Sequence, residues 1–242
     1  MSPPETEQEF LARYDPSGFE HPSVSVDVAL VTVHDGALRT LLIRRTEHPF
    51  RHHYALPGGF VRMDEGLEQA AERLLRDKAG LHDVFVEQLY TFGAPNRDPR
   101  TRVISVAYFA LTHIQRLRAA AAKRPDTVLA RISVPWEGSA DDPVTAWLED
   151  DELPLAFDHG TMLGTVVQRL RGKLDYSAVG FELLPERFTL RQLQQVHETI
   201  LHKPLNKDSF RRRMLATGQI EATGEREQDT AHRPAELYRF LT

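Results

Sequence analysis

The 242-residue chain is long enough for one or two domains, and its 41% hydrophobic content supports at least one buried core, which excludes a fully disordered chain. It contains no cysteine, so disulfides, cysteine-ligated zinc and thiol chemistry are excluded. The net charge of −5 speaks against a chain-wide nucleic-acid surface, but residues 181–242 hold 10 Lys+Arg against 9 Asp+Glu while the first 180 hold 20 against 26; because salt limits the reach of a charge to ~8–10 Å, a local basic face stays open.

No apolar stretch approaches the ~20 residues needed to span a bilayer. The acidic start MSPPETEQEF lacks the basic flank and apolar run of a secretory signal. A soluble, cytoplasmic protein with no membrane partner is therefore expected. Residues 1–22, with Pro3, Pro4, Pro16 and Pro22, are expected to form a tail carrying one short helix.

Ser23–Val33 is Val-rich with partial alternation, a strand signal, and Leu38–Arg44 follows it across the turn His34-Asp35-Gly36 as the second arm of a hairpin. Pro57-Gly58-Gly59 breaks the chain. Asp64 or Glu65 can then cap a helix from Leu67 to Lys78, whose Leu67, Ala70, Ala71, Leu74 and Leu75 follow helical spacing, with Gly80 as the stop. Val84–Phe92 and Arg102–Leu111 read as two further strands flanking the loop GAPNRDPRT. Residues 114–154 are mixed, with a short helix at Ala119–Ala122. An amphipathic helix at His159–Leu174 ends the first unit, and composition shifts near Tyr176–Phe181. The expected organisation is a tail at 1–22, one domain at 23–175 and a second at 176–242.

The second domain reads as helix, turn, helix and hairpin. Thr189 caps the first helix with Gln192 as its capping-box partner, and Leu190, Leu193, Val196, Ile200 and Leu201 form the apolar stripe. Asn206 caps a second helix, Lys207 to Ala216, with Phe210, Met214 and Leu215 expected to face inward. Ile220–Thr223 and Glu236–Phe240 can pair across a polar loop. That is the order of a winged helix-turn-helix. Asn206, Lys207, Ser209, Arg211, Arg212 and Arg213 supply donors for phosphates and base edges, and Arg226, His232 and Arg233 are candidates for the wing. A basic helix of this kind points to double-stranded DNA; docking of an acidic protein partner is the competing use.

The stretch from Gly59 to Leu81, preceded by Leu-Pro-Gly, resembles the Nudix box: Gly59, Glu65, Arg73, Leu75, Gly80 and Leu81 fall on its positions. The resemblance runs from about Val24 to His113. It implies a mixed-sheet α/β/α sandwich, and hence an α+β chain completed by the winged helix. In that family, carboxylates on one helix face hold Mg²⁺ for phosphoanhydride cleavage. Here the box carries Leu74, Asp77 and Lys78 where the family has glutamates, so no catalytic residue and no metal are expected, and residual Mg²⁺ at Glu65 and Asp77 is not anticipated. Arg73 has a structural alternative, holding the loop through Glu65. Diphosphate binding can outlast hydrolysis. Arg44, Arg45, Arg97 and Arg100 suit phosphate oxygens, and Phe92 or Phe50 could stack on a base, against the ordinary fates of surface and core. His48, His52 and His53 lack metal-ligand spacing and read as loop imidazoles.

Taken together, FELLPERFTL, DSFRRRM and RPAELYRF with the degraded box resemble the Nudix-related transcriptional regulators, repressors of NAD biosynthesis and salvage genes. The resemblance implies a homodimer, a palindromic operator and ADP-ribose or a related NAD metabolite as small nucleotide effector, with no required cofactor. An ADP-ribose pyrophosphatase with an accessory winged helix is the alternative; it would need glutamates at 74, 77 and 78.

Overall fold

The computed structural model describes residues 6–135, 144–174, 177–228 and 233–241. A short helix α1 (Glu7–Arg13), closed by a Thr6–Glu9 capping box and burying none of its residues, precedes β1 (Ser23–His34) and β2 (Ala37–Arg44). Then come β3 (Tyr54–Ala55), β4 (Gly58–Phe60) and α2 (Leu67–Leu74), which passes into a π-helical turn, Leu75–Ala79. β5 (Phe85–Phe92), β6 (Val103–Leu111), α3 (Ile114–Ala122), β7 (Thr127–Ser133), β8 (Thr145–Leu148), β9 (Asp151–Leu153) and α4 (His159–Lys173) complete the first unit.

These strands form one mixed sheet in the order β5-β6-β1-β2-β7-β8-β9, with β3 on β2 and β4 on β1. β1 runs parallel to β6 and antiparallel to β2. Alternation sorts the side chains of β1. Val26, Val28 and Leu30 pack with Ala70, Ala71, Leu74 and Leu117 beneath α2 and α3, whereas Ala29 and Val31 pack with Met162, Leu163, Val166 and Val167 of α4. A strand covered on both faces must be apolar throughout, which is why SVSVDVALVTV alternates only in part.

Three sequence expectations change in this first unit. The box helix does not continue as α-helix to Lys78; it widens into the π-helical turn and closes at Gly80, whose φ of 64° is left-handed. The third helix starts at Ile114, well before Ala119, because Ile114 and Leu117 are its buried anchors. β7, β8 and β9 occupy the stretch that reads as mixed; they are short, and Arg131, Trp147 and Glu152 interrupt the apolar pattern.

The C-terminal unit has β10 (Phe188–Thr189), α5 (Leu190–Leu201), α6 (Lys207–Ala216), β11 (Ile220–Arg226) and β12 (Glu236–Phe240), with strand order β10-β12-β11. Thr189 caps α5 through the expected box with Gln192, and Asn206 accepts from the Ser209 amide at 3.0 Å. Phe188, Leu193, Phe210, Met214, Ile220 and Tyr238 form its core. Leu215 is exposed rather than inward: Met214 holds the buried stripe, and the next residue on a helix points ~100° away. The expected boundary at 176 lies outside the described residues. Val179, Leu183, Val196 and Ile200 nevertheless join the core of the first unit, so α5 is packed against α4 and not tethered by a free linker.

Candidate functional site

A cavity of about 180 Å³ opens where β1, β4, the 94–103 loop and the start of α4 meet; its walls include Asp27, Arg45, Gly58, Phe60, Arg97, Asp98, Arg100, Phe157 and His159. Asp27 is the buried organiser. Ser105 donates to its Oδ2, the Arg97 Nη2 is 3.8 Å from Oδ2, and the His159 Nε2 is 3.7 Å from Oδ1. Gly58, paired with Asp27 in the β1–β4 ladder, has no room for a side chain: an added Cβ would lie 1.9 Å from the Asp27 Oδ1. That close approach explains the Pro-Gly-Gly break.

Arg97 is only 8% exposed and forks Asp158, at 2.9 and 2.7 Å. It fixes the start of α4 to the 94–103 loop. Arg100 forks Asp98, at 3.0 and 2.7 Å, and lies 5.5 Å over the Phe60 ring. Arg45 donates to the Pro49 carbonyl and lies 5.0 Å over Phe157. Burial, and then the charge of Arg100, push the Arg45 guanidinium below its ordinary value. A guanidinium disfavoured by burial and by a second cation is one that an anion would stabilise; Arg100 itself is held charged by its fork to Asp98.

His159 is fully enclosed. Its Nδ1 accepts from the Leu56 amide at 3.0 Å, so the proton of the neutral ring sits on Nε2, toward Asp27. Burial pushes its pKa below the ordinary imidazole value. A depressed folded pKa means that stability is present above the unfolded value, ~6.5, and is lost as pH falls below it. Urea melts should therefore show stability dropping from pH 7 toward 5, by at most about 1.4 kcal/mol per pH unit from this group, and His159→Gln should flatten that drop. An unchanged slope in the variant would refute the assignment.

The box residues do not fit a divalent cation. Leu74 is 1% exposed and turns its Cδ2 toward Gly59, where an added Cβ would meet it at 3.0 Å; it is part of the core. Both oxygens of Glu65 are held by Arg73, with the Arg62 amide adding 2.9 Å to Oε1, and Arg73 also donates to the Phe60 carbonyl. Those bonds to Arg73, foremost, hold the Glu65 carboxyl well below the usual range, at about 2. The pair is a clasp on the 60–65 loop. Asp77 and Lys78 are exposed.

Of the other expected ligand residues, Arg44 lines a neighbouring cavity with Lys78. Phe92 stands edge-on to Tyr90 and packs against the main core. Phe50 sits behind Phe157, with ring centroids 4.8 Å apart. The aromatic rings that do line the cavity, Phe60 and Phe157, were not legible, and neither were Asp27 and His159. Only the Phe-Asp-His run before a helix hinted at the last. His53 packs on Phe50, and His48 and His52 lie exposed in the loop. A larger cleft, about 780 Å³, lies between the two units but lacks convergent cations, since Arg116 and Arg239 are committed to the His82 carbonyl and to Glu221.

On α6, Lys207, Ser209, Arg211, Arg212 and Arg213 are all exposed. They do not point alike. Tyr238 on β12 feels the charge of Arg211, which opposes the upward effect of burial on its hydroxyl. The Arg213 guanidinium lies 5.6 Å over the Phe210 ring. Arg212, two residues from buried Phe210 and from buried Met214, stands opposite the buried stripe. Arg226 and Arg233 are exposed at the wing, and His232 lies outside the described residues.

The sequence profile of the NUDIX domain matches residues 22–137, and that of the NrtR DNA-binding winged helix domain matches residues 180–240. An ADPR responsive transcriptional repressor NtrR of Acinetobacter baylyi is 35% identical over 240 residues, 97% of this chain and 88% of that protein. The crystal structure of Shewanella oneidensis NrtR complexed with a 27mer DNA is similar, with a TM-score of 0.76 and 36% identity over 90% of this chain and 93% of that one. The NUDIX domain of the same protein complexed with ADP ribose aligns with a TM-score of 0.51 and 34% identity, over 69% of this chain and 99% of that one.

Proposed function

This chain belongs to the NrtR family of transcriptional regulators, and on that premise we propose that it is a repressor whose winged helix, residues 176–242, holds operator DNA and whose Nudix unit, residues 23–175, senses ADP-ribose or a related NAD metabolite. The observation that carries the effector reading is the pair Arg45 and Arg100, two guanidiniums in the wall of one cavity that Phe60 and Phe157 also line. A diphosphate between two arginines and a base or ribose against Phe60 or Phe157 match that chemistry. A relative that is similar over nearly the whole chain is an ADPR responsive transcriptional repressor. No helix is long and apolar enough to cross a membrane among the described residues. Dimerisation on a palindrome and control of NAD genes are part of the same proposal and rest on the family resemblance alone.

The route for coupling is α4. Its first turn carries Asp158 and His159, at the cavity, and near its last turn Arg171 donates to the Ile200 carbonyl of α5 at 2.9 Å. A 15-residue helix is about 22 Å long, so one rigid element touches both sites. A ligand shifts operator binding only through different affinities for the competent and incompetent arrangements. The test is calorimetry on the full chain. ADP-ribose should weaken operator binding ~5–150-fold, operator should weaken ADP-ribose binding by the same factor, and with Mg²⁺ present AMP release should be negligible. ADP-ribose that leaves operator binding unchanged, or turnover within the usual enzyme range of ~1–10³ s⁻¹, would sink the reading; turnover would favour a pyrophosphatase instead.

A further inference from the structure

Lys78 and Arg44 line a second cavity, about 240 Å³, that shares Arg45, Ala55, Leu56 and Gly58 with the first. The four shared residues make the two chambers neighbours across a common wall. Arg45 stands in the wall of both. The second chamber holds three cations, Arg44, Arg45 and Lys78, against the carboxylates Glu47 and Asp126. Among the described residues, neither Lys78 nor Arg44 is paired with a carboxylate.

Lys78 stands where the Nudix box has a metal-binding glutamate, and on a π-helical turn, a distortion frequent at functional sites. The other box positions cannot compensate: Leu74 is in the core and Glu65 is clasped by Arg73. A divalent cation there would meet three positive side chains against two carboxylates, Glu47 and Asp126. A phosphate would meet donors. We propose that the Lys78 ammonium, with the Arg44 guanidinium, takes the place of the divalent cation as counter-charge to the ligand, so that this chamber, beside Arg45, binds a diphosphate without metal. This rests on reading the cavity as a nucleotide site, and it adds that the site is metal-independent and that Lys78 is a binding residue. The binding is by charge-assisted hydrogen bonds to phosphate oxygens; no bond is made or broken.

The test uses inorganic pyrophosphate, titrated calorimetrically into the full chain in EDTA and again with excess Mg²⁺. Pyrophosphate should bind in EDTA, and Mg²⁺ should not tighten it. Lys78→Gln should weaken binding at least 5-fold, Lys78→Arg should retain it, and neither should move the thermal melt, since Lys78 is exposed. Binding that requires Mg²⁺, or a Lys78→Gln protein that binds as wild type does, overturns the proposal. ADP-ribose titrated in the same two buffers separates it from the effector reading. Pyrophosphate binding without ADP-ribose binding leaves the metal-free anion site standing and removes ADP-ribose as effector; ADP-ribose binding only with Mg²⁺ does the reverse.

Discussion

Arg212→Ala should cost operator binding about 1–3 kcal/mol, roughly 5–150-fold, while leaving binding to random DNA nearly unchanged. The expectation follows from where three consecutive arginines point. Arg211 acts on Tyr238 of β12, Arg213 lies over Phe210, and Arg212 alone stands opposite the buried Phe210 and Met214. Only a side chain on that outermost line can reach base edges when the helix lies in the major groove; its flanking neighbours meet phosphates. Arg211→Ala should accordingly weaken specific and random DNA alike and lower the salt slope by about one. The measurement is a pair of salt titrations on operator and scrambled duplex. Equal losses on both duplexes for Arg212→Ala would remove it as the base reader.

Leu74→Glu, paired with Lys78→Glu to restore two family glutamates, should give a damaged protein and no pyrophosphatase. Leu74 is buried beneath Gly59 among Ala70, Ala71, Leu75 and Val28. Replacing it removes a packed side chain and places a carboxyl in an apolar cluster. Losses of this type run to about 4 kcal/mol, a large share of the ~5–15 kcal/mol that holds a domain folded. Lys78→Glu alone is an exposed change and should stay within about 0.5 kcal/mol. Urea melts of the single and double variants measure both. A double variant as stable as wild type would show that Leu74 is not the core residue described, and ADP-ribose hydrolysis by it with Mg²⁺ would show that lost ligands alone separate this chain from an enzyme.

Much of the architecture was legible because it is local. The Thr189–Gln192 capping box, the Asn206 cap and the glycine stop at Gly80 each depend on residues close in the chain, and the structure contains them. The Leu74 and Lys78 substitutions were equally readable, as losses from a pattern. Their physical meanings were not. A letter string does not distinguish a leucine that merely fails to bind metal from one that fills the core under Gly59.

What the sequence by itself determined is therefore the first hairpin, the damaged box, the helix-turn-helix order and the basic second helix, since hydrophobic period, capping and charge are properties of neighbouring residues. Tertiary structure alone decided the site. Asp27, Gly58, Arg97 and His159 are far apart in the chain and meet only because β1 pairs with β4 and α4 closes over them. The same assembly forked Arg97 onto Asp158, sent Phe92 to the core and brought Phe60 and Phe157 to the cavity in its place. It also joined Arg44 to Lys78, because the π-helical turn and the end of β2 border the same chamber. A side chain's partners are set by which elements stack and in what register, and no local pattern encodes that.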